Sequence, residues 1–193
     1  MKQLITLFIL LISLVASAQT EHMKFMGIPI NGNITAFQSK LVQKGFKFVK
    51  NEASSGDAEV YKQYSGKFAG KECKLYVAYN RETKIVYEVQ VVYKLKYPSM
   101  ESNFELEDMY KSLKTQLTKK YNTQAVVNGN LWDDDVIFNI TSGSIRLLKT
   151  GSSGTGNINE NAWGDYTEDV LHIIYTDNIN YNKSKSSFVS DDL

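Results

Sequence analysis

The chain has 193 residues, and its 22 Lys and Arg nearly balance its 21 Asp and Glu. This balance argues against nucleic acid as a partner, and an aromatic content of 12% with only two prolines argues against disorder in the body of the chain. The single cysteine cannot form an intramolecular disulfide, so stability has to come from packing.

The first 18 residues have the three parts of a secretory signal peptide. Lys2 supplies a positive charge, residues 4–15 are almost all apolar, and Ala16-Ser17-Ala18 is a small-residue cleavage site. The apolar run is shorter than the roughly 20 residues that a membrane span needs. We therefore predict an exported protein, periplasmic or secreted, that is cleaved after Ala18 and has no membrane span in the mature chain.

The mature chain opens with a short extended segment over residues 23–30, followed by a predicted helix over residues 34–44. Asn33 is placed to cap the start of this helix, and Gly45 is placed for a left-handed residue at its end. Apolar residues at helical spacing predict a face that packs on a sheet. This face consists of Ile34, Phe37, Leu41 and Val42.

Alternation predicts the next elements. Seven successive odd positions from Ile85 to Tyr97 are apolar, which predicts a long strand with one buried face. A second alternating run from Cys73 to Tyr79 precedes it, and residues 80–83 can join the two strands as an antiparallel hairpin. Cys73 then faces the core as a small buried hydrophobe.

A second helix is predicted over residues 103–121, after Pro98 ends the long strand. Ser102 and Glu105 have the spacing of a capping box, and Lys119 and Lys120 suit the last turn. Its predicted buried stripe consists of Leu106, Met109, Tyr110, Leu113, Leu117 and Tyr121.

Short strands complete the predicted α+β class, in which two helices pack on an antiparallel sheet. One domain is expected over residues 19–177, and the polar residues 178–193 are expected to form a flexible tail. The element order is also compatible with two similar helix-plus-hairpin halves, 22–97 and 98–177. The predicted late strands are 124–127, 135–141, 144–149 and 170–176.

No catalytic residue, metal site or cofactor is predicted. The glycine-rich residues 151–156 do not have the spacing of a phosphate-binding loop. The three acidic residues after Trp132 do not have the spacing of an EF-hand calcium loop. His22 and His172 have no metal-ligand spacing between them, and a nucleophilic pair of Cys73 with His172 would need an accessible thiol.

Three aromatic residues are candidates for a ligand-binding surface, because exposed rings stack on sugars and peptides. They are Trp132, Trp163 and Tyr166. Core packing is the alternative interpretation for each ring.

The segment Gly27-Ile28-Pro29 with Gly32, together with Lys44-Gly45-Phe46 and a turn at residues 66–70, resembles small exported proteins of Bacteroidetes-type bacteria. The resemblance covers residues 23–95. It implies a helix-plus-antiparallel-sheet fold similar to the β-lactamase-inhibitor-protein-like and PepSY-like groups. Members of those groups bind proteins or inhibit enzymes, and no inhibitory residue maps onto this chain.

Three hypotheses for the function follow. The first is a non-catalytic binding module of the bacterial envelope, which contacts a protein or an envelope glycan through a sheet face or the loops around Trp132 and Trp163. The second is an envelope hydrolase acting on glycans or peptides, with carboxylates brought together by folding. The third is a structural or accessory protein. The candidate carboxylates of the second hypothesis are Asp133, Asp135, Glu160 and Asp165.

Overall fold

An antiparallel sheet is the largest element of the computed structural model, which describes residues 21–53, 59–94, 100–127, 134–150 and 170–189. The helices are α1 (Ile34–Gln43), α2 (Met100–Tyr121) and α3 (Asn178–Val189). The strands are β1 (Lys24–Phe25), β2 (Ile28–Pro29), β3 (Lys47–Ala53), β4 (Glu59–Phe68), β5 (Lys71–Asn80), β6 (Val86–Lys94), β7 (Val126–Val127), β8 (Asp134–Ile140), β9 (Gly143–Thr150) and β10 (Val170–Asp177).

The sheet is built from two runs of neighbouring strands that meet at β10. Within the described residues its order is β3-β4-β5-β6-β10-β9-β8-β7, and every neighbouring pair is antiparallel. A separate two-stranded hairpin, β1 with β2, precedes α1. The predicted α+β class with an antiparallel sheet is therefore confirmed, and so is the predicted pairing of β5 with β6.

One face of the sheet, which we call the first face, carries the main apolar core. Leu75, Val91 and Ile173 lie side by side on this face and are fully buried. Leu41 of α1 and Leu117 of α2 belong to the same buried cluster. Both helices thus cover one face and share one continuous core with the sheet, where each large apolar side chain contributes about 1.5–3 kcal/mol.

The second face, opposite the first, is covered at one end by α3. Tyr61, Ala78 and Tyr87 form a small buried cluster there, and the ring of Tyr181 in α3 packs against Tyr87 with centroids 5.8 Å apart. The prediction of a flexible tail from residue 178 is therefore wrong for residues 178–189.

Polar side chains hold α3 in place, which is why its composition was misleading. Asp177, fully buried, accepts hydrogen bonds from the backbone N–H of Asn180 at 2.9 Å and of Met23 at 2.8 Å. The Asn180 amide in turn donates to the carbonyl oxygens of Ile30 and Val86. The segment is polar because its side chains cap the helix and satisfy buried backbone groups.

The predicted start of the second helix is also wrong. The helix begins at Met100, so Ser102 lies within the helix and not at its N-cap position. Glu105 instead accepts a hydrogen bond from Lys71, at the start of β5. Its predicted end at Tyr121 is confirmed.

Two predictions of burial need correction. Val42, assigned to the buried face of α1, is 53% exposed, whereas its other predicted members are buried. The strand β6 is buried on both faces, since Gln90 and Val92 are only 4% and 5% exposed. The first face of β6 lies in the main core, and part of its second face is covered by α3, which packs against this strand.

The strands β3 and β4 were not predicted. The predicted turn at residues 66–70 is shorter than expected. Gly66 lies within β4, where the ring of Phe46 occupies the place of a side chain. Only Ala69 and Gly70 form the turn, both with positive φ.

None of the described helices is long and apolar enough to cross a membrane.

Candidate functional site

Most of the predicted site residues fall outside the described part of the chain. Trp132, Trp163 and Tyr166 all lie in segments that are not described, and so do residues 151–156. Among the four candidate carboxylates, Asp133, Glu160 and Asp165 also lie outside the described residues. The remaining one is Asp135, in β8.

Strand register places several polar side chains together on the second face of the sheet. One row of laterally paired residues crosses β4, β5, β6, β10 and β9, and a second row contains His172. We call five polar side chains of these rows the polar strip. They are Gln63, Tyr76, Gln90, Arg146 and His172.

Gln90 and His172 form the centre of the polar strip. The amide nitrogen of Gln90 lies 2.6 Å from Nδ1 of His172. Burial lowers the pKa of His172 to about 4, and the positive charges of Arg146 and Lys94 act in the same direction. The ring is therefore neutral at pH 7. With Gln90 donating to Nδ1, its proton lies on Nε2.

Arg146 is held at the strip by an ion pair. Its Nε lies 2.9 Å from Oδ1 of Asp135, and its Nη2 lies 2.6 Å from Oδ2, which is a bidentate geometry. The Asp135 side chain is 5% exposed and that of Arg146 is 35% exposed. The hydrogen bond to Asp135 raises the pKa of Arg146. Both oxygens of Asp135 are thus committed to one guanidinium, whose outer part faces solvent.

The other end of the polar strip pairs an amide with a phenol. The amide nitrogen of Gln63 donates to the Tyr76 hydroxyl at 3.4 Å, and Tyr76 is half-buried. Oε1 of Gln63 and Nε2 of His172 are both buried and have no hydrogen-bond partner among the described residues. One acceptor and one donor of the strip therefore have unused hydrogen-bonding capacity.

The hypothetical pair of Cys73 with His172 does not form. Lys74, Val92 and His172 lie side by side on the second face, so Cys73, one residue before Lys74, points to the first. The thiol is buried, as predicted, and burial raises its pKa to about 11. Cys73 is consequently protonated and inaccessible.

The side chains of the polar strip are suited to recognising a ligand by hydrogen bonds. Amide, phenol, imidazole and guanidinium groups can bind hydroxyl or amide groups of a ligand, and the Tyr76 ring offers an apolar surface beside them. No group of three or more His, Cys, Asp and Glu side chains that could hold a metal ion occurs within the described ranges.

Comparison with known proteins adds no relative: no family model, curated protein or solved structure matches the chain. The resemblance to exported Bacteroidetes-type proteins stays a prediction.

Proposed function

We propose that this protein is an exported, non-catalytic binding module of the bacterial envelope, and that it binds a glycan or protein through the polar strip. The observation that carries the proposal is that two members of the strip reach solvent on the same sheet face: the half-buried Tyr76 and the partly exposed guanidinium of Arg146. Between them, Gln63 Oε1 and His172 Nε2 are buried without a hydrogen-bond partner among the described residues, which costs about 1–3 kcal/mol each.

The state of Asp135 supports a non-catalytic role. A general acid or base has to exchange a proton with its substrate, whereas both oxygens of Asp135 are bound to Arg146. Nothing in the described residues favours the hydrolase hypothesis, so no second function is advanced.

Site-specific photo-crosslinking tests the binding surface. A photoreactive amino acid at Tyr76 is expected to crosslink to an envelope component, and one at Phe104 is not, because Phe104 is an exposed aromatic residue of α2, which covers the other face. The readout is the set of adducts formed with an envelope fraction. Equal crosslinking from both positions, or none from Tyr76, would contradict the proposal.

A matched pair of substitutions measures the contribution of the ring. Tyr76→Ser is expected to weaken binding to the envelope fraction by about tenfold, the loss expected for one ring contact, and Phe104→Ser to leave it unchanged. Release of soluble fragments from the envelope material by the wild-type protein would contradict the proposal that the protein is not an enzyme.

Export is tested separately. The proposed signal peptide predicts that the N-terminal sequence of the protein recovered outside the cytoplasm begins at Gln19. Retention of residues 1–18 in that protein would contradict cleavage after Ala18.

We also propose that residues 22–97 and 98–177 are two similar halves. In support, α1 is followed by β3 to β6 and α2 by β7 to β10, and the last strands of the two sets pair with each other. Separately produced fragments 19–97 and 98–193 are then expected to associate into the native protein, as judged by far-UV circular dichroism of their mixture.

A further inference from the structure

The edge of the sheet at β3, with the C-terminal half of α1, is both basic and apolar. No acidic residue occurs between residues 34 and 51. All of β3 from residue 47 to 51 is exposed, and β3 has a sheet neighbour only in β4 among the described strands. We call the following residues the basic edge: Lys40, Val42, Lys44, Lys47, Phe48, Val49 and Lys50.

Folding leaves the apolar side chains of the basic edge in contact with water. Val42 is 53% exposed, Val49 is 49% exposed, and Phe48 remains 43% exposed although its ring packs edge-on against Tyr64. Lys40, Lys44 and Lys47 form no ion pair with a described residue. Uncompensated positive charge and exposed apolar surface therefore occur in the same stretch.

Protection of a sheet edge explains only part of this pattern. Lysines and a β-bulge on an edge strand prevent pairing with other chains, which accounts for Lys47, Lys50 and the bulge between Phe48 and Lys50. It does not account for Lys40 in α1 and Lys44 just after it, or for the exposed ring of Phe48 and the exposed valine methyl groups.

The same features select one kind of partner. The bulge interrupts the regular backbone pattern that an added peptide strand needs, which disfavours an acidic peptide. A polyanion would use the lysines but not Val42, Phe48 and Val49. A lipid bilayer uses both, because lysines contact anionic headgroups while apolar side chains enter the interfacial region.

We propose that the basic edge binds a phospholipid surface that carries anionic headgroups. This surface adjoins the polar strip, since Lys50 of β3 pairs laterally with Gln63 of β4. The protein would thus contact a membrane with one edge and a second envelope component with the neighbouring sheet face. The proposal goes beyond the binding function above and does not depend on the identity of that component.

Vesicle flotation tests the proposal with the chain from Gln19 to Leu193. The protein is expected to float with vesicles of phosphatidylcholine and phosphatidylglycerol in equal parts, and not with phosphatidylcholine alone. Raising the salt concentration should release it, because screening weakens attraction between exposed charges. Equal binding to both vesicles, or binding to neither, would overturn the proposal.

Matched variants assign the binding to the basic edge. Lys44→Gln with Lys47→Gln is expected to lower the partition coefficient about 25-fold, about fivefold for each lysine. Lys111→Gln with Lys119→Gln removes the same charge from exposed positions of α2 and should change it less than about twofold. An equal loss in the two double variants would show a net-charge effect and overturn the assignment.

Two further measurements separate the alternatives. Val49→Ser should weaken binding without changing its salt dependence, and an unchanged urea midpoint should show that each variant is folded. Retention on immobilised polyglutamate through Lys44 and Lys47, with no flotation, would assign the edge to an acidic peptide and overturn the lipid proposal.

Discussion

At the scale of single residues, His172 shows how far its surroundings move a titratable group. The side chain is buried beside Gln90, and two positive charges act on it from Arg146 and Lys94. Its pKa in the folded protein is about 4, against 6.5 for the ordinary side chain. The sequence could not predict this, because the groups that surround the ring come from β6 and β9.

Stability should consequently depend on pH through His172. Because the folded pKa lies below the unfolded value, the neutral ring contributes fully above pH 6.5, and the contribution is lost as the pH falls towards 4. The loss is about 2 kcal/mol by pH 5. Urea unfolding at pH 7 and pH 5 measures it.

The matched variant is His172→Gln, which keeps a polar side chain and removes the titration. Its free energy of unfolding should change less between the two pH values, since the remaining groups titrate in both proteins. Equal changes in wild type and variant would show that the His172 pKa is not lowered.

At the scale of elements, sequence patterns predicted what alternation and helical spacing encode. The hairpin of β5 and β6, the cap of α1 at Asn33 and the left-handed Gly45 are all confirmed. The strands β3 and β4 were missed because lysines and glycine interrupt their alternation. The polar strip was missed because no motif marks it, and only strand register brings Gln63 next to Tyr76.

Removing α3 should destabilise the protein strongly. A chain ending at Asp177 loses both hydrogen bonds of the Asn180 amide and uncovers Tyr61 and Tyr87. We expect a loss of about 4 kcal/mol or more in the free energy of unfolding by urea. A chain ending at Val189 is the control and should match the full chain. Similar stability of both truncations would mean that α3 contributes little.

A single methyl group at the start of β9 should disrupt the pairing of β9 with β10. A Cβ at Gly143 would lie 2.0 Å from the backbone oxygen of Thr176, whereas one at Gly32 would meet nothing within 4 Å. Gly143→Ala should therefore cost about 3 kcal/mol, and Gly32→Ala less than about 0.5 kcal/mol. Thermal unfolding of the two variants provides the comparison, and a mild effect at Gly143 would contradict this backbone contact.

At the scale of the whole molecule, one core joins α1 and α2 to both runs of strands. Cys73 lies in this core and is the only cysteine of the chain. Its reaction with a thiol reagent in the folded protein should need global unfolding, because burial removes access and raises the pKa to about 11.

Thiol labelling as a function of urea tests this expectation. The free energy obtained from Cys73 should equal that of global unfolding by circular dichroism. The control is Cys73→Ala with Lys74→Cys, which moves the thiol to an exposed neighbouring position on the second face and should label rapidly without urea. Rapid labelling of Cys73 itself would show local opening of this part of the sheet.

The central place of β10 has a consequence for the order of events in the cell. Gln90 and His172, which meet across β6 and β10, are 82 residues apart, and β10 is the last described strand in chain order. The two strand runs therefore cannot join until β10 has been synthesised, because β6 and β9 have no common neighbour before then. For a chain exported as proposed, the complete sheet is therefore expected to form only after β10 has crossed the membrane.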